Sequence, residues 1–207
     1  AGGSSSWAFS AAGAYTDNTI QADVTASISA GSSVTAANVA VTTGNTLTST
    51  ADAYGMTIAY SSATGSNTAA SLSVGVTLAS NTVSIDQLAF VTASSLTTTT
   101  DDIRITSLDS KTVKATSLAA SVAAANGGES GGLAVSGGGA GSTNTISGRT
   151  NAYALTSTLA SAGAITVTAG TFNVNLDATV VAASGGGISI GGARAENIVG
   201  GVAGDAT

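Results

Sequence analysis

The chain has 207 residues and a net charge of −6, from 5 Lys and Arg against 11 Asp and Glu, and it contains no Cys, His or Pro. Five basic residues cannot neutralise a run of phosphates, so nucleic-acid binding is not expected. Without Cys there is no disulfide, no thiolate metal site and no thiol redox chemistry.

Only 8% of the residues are charged, 27 are Gly, and most of the rest are Ala, Ser, Thr, Val and Asn. Disordered chains are usually highly charged and poor in β-branched residues, and this chain is neither. Its Val, Ile and Thr suit a pleated surface. The opening AGGSSSWAFS has no basic segment and no long apolar segment, so a secretory signal is not expected there. No apolar run reaches the roughly 18 residues of a spanning helix. The eight aromatic residues lie scattered along the chain, where a membrane barrel needs them at two levels. No membrane span is expected.

In chain order, the first predicted element is AFSAAGAYTDN at 8–18, which alternates apolar and small residues and ends at Asn18 before Thr19-Ile20. Val39-Ala40-Val41-Thr42 follows as a second landmark. SLSVGVTLASN at 71–81 then repeats the first element and ends at Asn81 before Thr82-Val83. Ile103-Arg104-Ile105-Thr106 stands after Asn81 nearly where Val39 stands after Asn18. SLAASVAAAN at 117–126 is the best helical competitor, but it lacks charged partners. LAVSGGGAGSTN at 133–144 ends at Asn144, and the step from Asn81 to Asn144 equals the step from Asn18 to Asn81. Ile165-Thr166-Val167-Thr168 takes the second landmark's place after Asn144. In ITVTAGTFNVNLDATVV the apolar parity shifts across Gly170-Thr171, which predicts a strand turning a corner. ISIGGARAEN at 188–197 ends at Asn197, after a shorter step than the two before it.

Two landmarks holding register across successive copies define a repeat. Residues 18–80, 81–143 and 144–196 read as three copies, 1–17 as the end of a preceding copy and 197–207 as the start of another. The fold class is all-β, a single parallel β-solenoid. Small inward side chains would underfill a thick core but fit a narrow coil whose turns stack. Turns of about 20 residues would give roughly ten coils and, at about 4.8 Å each, a rod of roughly 50 Å. The recurring Asn is expected at a corner, where it tolerates left-handed backbone.

SVTAANVAVTT, DDIRITS, GAITVTAGTFNVNLDA and the runs GGARAENIV and GGGAGSTNTI resemble the repeats of large bacterial surface proteins. These are adhesin-like and autotransporter-passenger-like chains that fold as parallel β-helices. The resemblance implies an exported, extracellular or cell-surface protein of structural or adhesive character, and it transfers no active-site residues. The autotransporter barrel is not seen. The calcium-binding nonapeptide of related secreted repeats is approached only by Gly200-Gly201-Val202-Ala203-Gly204-Asp205, with its last Gly displaced.

Asp101-Asp102 is the one adjacent carboxylate pair and the one candidate metal site; calcium is the cation it would take, yet calcium needs six to eight oxygens. The plainer expectation is a solvated corner before Ile103, and no cofactor. Asp23 and Asp86 occupy equivalent places, but Arg149 fills that place in the third copy, which argues against a shared catalytic or metal role. With no His and thinly spread charges, no enzyme is expected. Thr-rich spacing, as in ITVTAGT and Thr97–Thr100, is the pattern of an outward strand face and also of a glycan-binding one. Neither end reads as capped, and an open solenoid end invites another copy head-to-tail. The leading expectation is therefore a non-enzymatic extracellular fibre subunit or segment. Behind it stand an adhesin stalk binding glycans or a surface, and then a β-helical carbohydrate-active enzyme.

Overall fold

In a computed structural model, which describes residues 5–200, the chain folds into eleven parallel-paired strands. They are β1 (Ser6–Ile28), β2 (Ser33–Ala36), β3 (Val39–Ser62), β4 (Ala69–Thr92), β5 (Ser95–Thr98), β6 (Ile103–Asn126), β7 (Gly132–Ser147), β8 (Thr150–Leu155), β9 (Thr158–Ala160), β10 (Ile165–Gly185) and β11 (Ile188–Val199). One long sheet has the order β1-β4-β7-β11, with β8 also on β4; a second has β10-β6-β3; a short third has β2-β5-β9. The fold is a parallel β-solenoid.

The winding is not the one the spacing predicts. Asn18 pairs with Asn81, and Asn81 with Asn144, so one turn consumes the whole 63-residue repeat. Three turns and the start of a fourth replace the expected ten. Each turn runs out along a long strand, bends through a short one and returns along a second long strand. At about 3.3 Å per residue, the 24 residues of β4 span roughly 80 Å, whereas four layers rise only about 14 Å. The molecule is a flat blade, not a narrow rod. The physical reason lies in what the sequence lacks. No Pro, and no cluster of turn residues, interrupts the alternation, so ladders continue far past the usual 3–10 residues. The second landmark marks the start of each return strand, β3, β6 and β10. Residues 117–126 belong to β6, not to a helix.

The landmark Asn residues are not at corners either. Left-handed backbone recurs instead at Ala30 (φ 63°), Ala93 (φ 46°) and Thr156 (φ 51°), where each turn bends from the long strand to the short one. The parity shift near Gly170 is a bulge rather than a corner. Phe172 pairs with Ser110 and Asn175 with Thr112, so β10 carries one extra residue, with Asn173 at φ 53°. The shorter last interval, 53 in place of 63, also has a structural cause. β10 turns into β11 at the level of Val122 and Val135 through Gly186-Gly187 and omits the tip of the blade.

The two long sheets face one another, and the filling changes along the blade. Near the short sheet, Val39, Val41, Val91, Leu96, Ile103 and Ile105 form an apolar cluster. Next come Val83, Ile85, Val113 and Ile146. Beyond the Asn level the fillers are Ala, Ser, Thr and Gly, with Thr77 bonded to Ser117 at 2.6 Å and Ser73 to Thr57 at 2.7 Å. Here the sheets nearly touch: a methyl on Gly138 would lie 2.9 Å from the carbonyl oxygen of Ala183 opposite.

Candidate functional site

Asn18 and Asn81 sit mid-strand, and Asn144 and Asn197 near the ends of β7 and β11, each with its side chain directed inward. In a parallel ladder the same side chain recurs above itself, so an amide can bond to its copy in the next layer. Asn18 Nδ2 donates to Asn81 Oδ1 at 3.1 Å, Asn81 Nδ2 to Asn144 Oδ1 at 2.9 Å, and Asn144 Nδ2 to Asn197 Oδ1 at 3.0 Å. The second N–H of each amide crosses to the facing sheet, reaching the carbonyls of Thr50, Lys114, Asp177 and Leu176 at 2.6, 2.6, 2.7 and 3.3 Å. Asn81 and Asn144 are fully buried. The ladder therefore fixes the register of layer on layer and ties the two sheets together. It is also directional: every Nδ2 points from an earlier layer to a later one.

At its two ends the ladder is complementary. Asn18 Oδ1 accepts no hydrogen bond among the described residues, and Asn197 has one N–H to spare. The strands around them are equally open. Among the described residues nothing pairs with the outer edges of β1, β3, β10 or β11.

The acidic candidates are occupied by neighbours. Asp101 and Asp102 stand at the bend before β6, as expected. Asp102 accepts from Arg104 at 2.7 Å and from the Ala164 N–H at 2.9 Å. Those contacts, the guanidinium foremost, hold its carboxyl below the ordinary value of 3.8. Among the described residues no three His, Cys, Asp or Glu groups lie close enough to hold a metal ion. Of the near-calcium stretch, residues 201–205 lie outside the described residues. Asp23 and Asp86 are in register, and Arg149 bridges layers by donating to Asp86 from its N–H, Nε and Nη2 at 2.9, 3.2 and 2.7 Å. That bonding lowers the Asp86 carboxyl, against a smaller opposing effect of burial.

Sequence reading missed two features. Asp109 and Lys111 form an ion pair inside the core, 0% and 5% exposed, with Asn45 donating to the free carboxylate oxygen at 3.0 Å. Also inside the core, Gln87 is fully buried with neither amide atom partnered among the described residues. Inward parity was the available signal, since Asp109, Lys111 and Gln87 share it with Ile105, Val113 and Ile85. The Thr pattern is partly one face. Thr42, Thr106 and Thr168 stack in register on the outer surface, but in the run Thr97–Thr100 Thr98 turns inward.

No protein-family model, curated protein or solved structure matches this chain.

Proposed function

We propose that the chain is a non-enzymatic structural protein, a subunit or segment of an extracellular fibre whose layers continue from copy to copy. The reading rests on one observation: a directional Asn ladder that ends, among the described residues, in a spare acceptor at Asn18 and a spare donor at Asn197. Stacking head-to-tail places Asn197 of one copy above Asn18 of the next and lets β11 add to β1. This contact is heterologous and does not close on itself, so it generates a filament. The resemblance to bacterial surface repeats agrees with an exported, cell-surface setting.

The test is microscopy of the purified chain at neutral pH, where filaments are expected. Asn197→Asp replaces the donor by a carboxylate that faces the Asn18 oxygen, and it should shorten or abolish filaments. Below about pH 4 that carboxyl gains an O–H donor, and filament growth should return. Wild-type chain that stays monomeric at high concentration would overturn the proposal. The Thr42–Thr106–Thr168 column favours a second reading, an adhesive module for glycans. Monomers that bind a glycan array, losing this on Thr106→Val, would select it.

A further inference from the structure

Hydropathy along the blade is inverted at one level. From the Asn ladder to the short sheet, the core is mainly Val, Ile and Leu around the Asp109–Lys111 pair and Gln87, and the outer faces are mostly polar and charged, with Leu88, Phe90, Leu108, Tyr153 and Phe172 among them. From the ladder to the tip, the core is hydroxyls, Ala and Gly, and both outer faces are apolar. On the first long sheet this outer face carries Phe9, Leu72, Val135 and Ile188 in one column and Val74 and Ile190 in the next. On the second it carries Tyr54, Met56, Ile58, Leu118, Val122 and Val181. Meanwhile the hydroxyls of Ser61, Ser71, Ser121 and Ser136 are buried without a partner among the described residues.

Charge obeys the same boundary. Asp17, Asp52, Lys114, Asp177, Arg194 and Glu196 gather at the border, close to the ladder level. Among the described residues, no charged side chain lies on the blade beyond that border except Glu129, in the tip loop. Tyr15 stands level with Arg194, and Tyr54 just past Asp52. At the far end stand Trp7, 82% exposed, and Tyr60, 63% exposed. Trp7 and Tyr15 are about 26 Å of strand apart, and Tyr54 and Tyr60 about 20 Å. Trp7, Tyr15, Tyr54 and Tyr60 thus mark two heights, Phe9 lies just inside the far one, and Phe90, Tyr153 and Phe172 lie in the other half of the blade.

We propose that this charge-free half of the blade inserts into a lipid bilayer, with the tip loops emerging on the far side and the charged border at the near surface. A transmembrane strand structure has an apolar band of about 25 Å between aromatic levels and a polar interior. A face meant for a second copy would need none of these: no fixed height, no aromatics at both limits and no charged border. The inference rests on the stacking reading in one respect. Open strand edges are not tolerated in hydrocarbon, so inserted blades need a neighbouring copy along the winding axis.

The single Trp makes the test direct. Purified full-length chain is mixed with phosphatidylcholine vesicles, with and without brominated acyl chains, and Trp7 emission and vesicle flotation are read. Flotation, a blue shift and quenching by the brominated lipid are expected. Val74→Arg, at mid-height on the outer face, should cut partitioning about tenfold or more, while Thr82→Arg on the same strand outside the band should leave it unchanged. Circular dichroism checks that both variants keep their sheet signal. Trp7 that stays water-exposed in excess lipid overturns the inference. So does a blue shift that grows with protein concentration and ignores lipid, which would assign the faces to a second copy. Filaments are imaged separately without lipid: filaments without vesicle binding sink the insertion alone, and vesicle binding without filaments sinks the lipid-free fibre alone.

Discussion

The residue with the most consequence is the recurring Asn. Its side chain works where an apolar one would fill space equally well, because only an amide can accept from the layer before, donate to the layer after and still reach the facing sheet. A different residue bears the conformational load. Ala93 holds φ at 46°, a left-handed position that costs an L-residue with a Cβ about 1–2 kcal/mol. Glycine relieves that cost, though it loses about 0.5–1 kcal/mol of chain entropy on folding. Ala93→Gly should therefore raise stability by about 0.5 kcal/mol, read as a higher denaturation midpoint. A lower midpoint would mean that the Ala93 methyl contributes packing that outweighs the strain. The recurrence of Asn was legible in the chain, and its role was not. Turn chemistry and ladder chemistry use the same residue, and only the neighbours above and below distinguish them.

Among the elements, β4 and its partners show how layers are held. Backbone ladders do most of it, and side chains add local ties. The Asp86–Arg149 bridge spans the break between β7 and β8, where Gly148 sits at φ 118° and a methyl would lie 2.1 Å from the Ile85 carbonyl oxygen. Because Arg149 lowers the folded-state Asp86 carboxyl, the bridge stabilises the fold above pH 3.8 and loses its effect as pH falls below that value. Arg149→Ala should lower the thermal midpoint slightly at pH 7, and wild type and variant should converge as pH falls below 3.8. A gap that persists in acid would assign the effect to packing of the Arg149 stem. Strand character was legible in this region from alternation. Strand length was not, because the usual length of strands is a statistical habit and no local signal announces that a ladder will run for 24 residues.

At the scale of the molecule, the blade is built entirely from distant pairings, since strands find their sheet neighbours a whole repeat away along the chain. Every such pairing closes a long loop before it gains anything, which makes folding slow. Refolding from denaturant should take seconds or longer, and stopped-flow fluorescence of Trp7 would detect it. Millisecond refolding would require local structure that the fold lacks. The absence of Pro removes prolyl isomerisation as another source of a slow phase.

By itself the sequence determined strand type, the register of the repeat and the small-residue filling, because these follow from composition and local alternation. Only the tertiary structure decided how many residues make one turn, that the Asn column lies inside the blade, and that residues far apart in the chain share one apolar, charge-free half. Those properties depend on which segments lie side by side. A period of 63 divides into three turns of about 20 or stands as a single turn with equal ease, until the sheets show which layer lies on which.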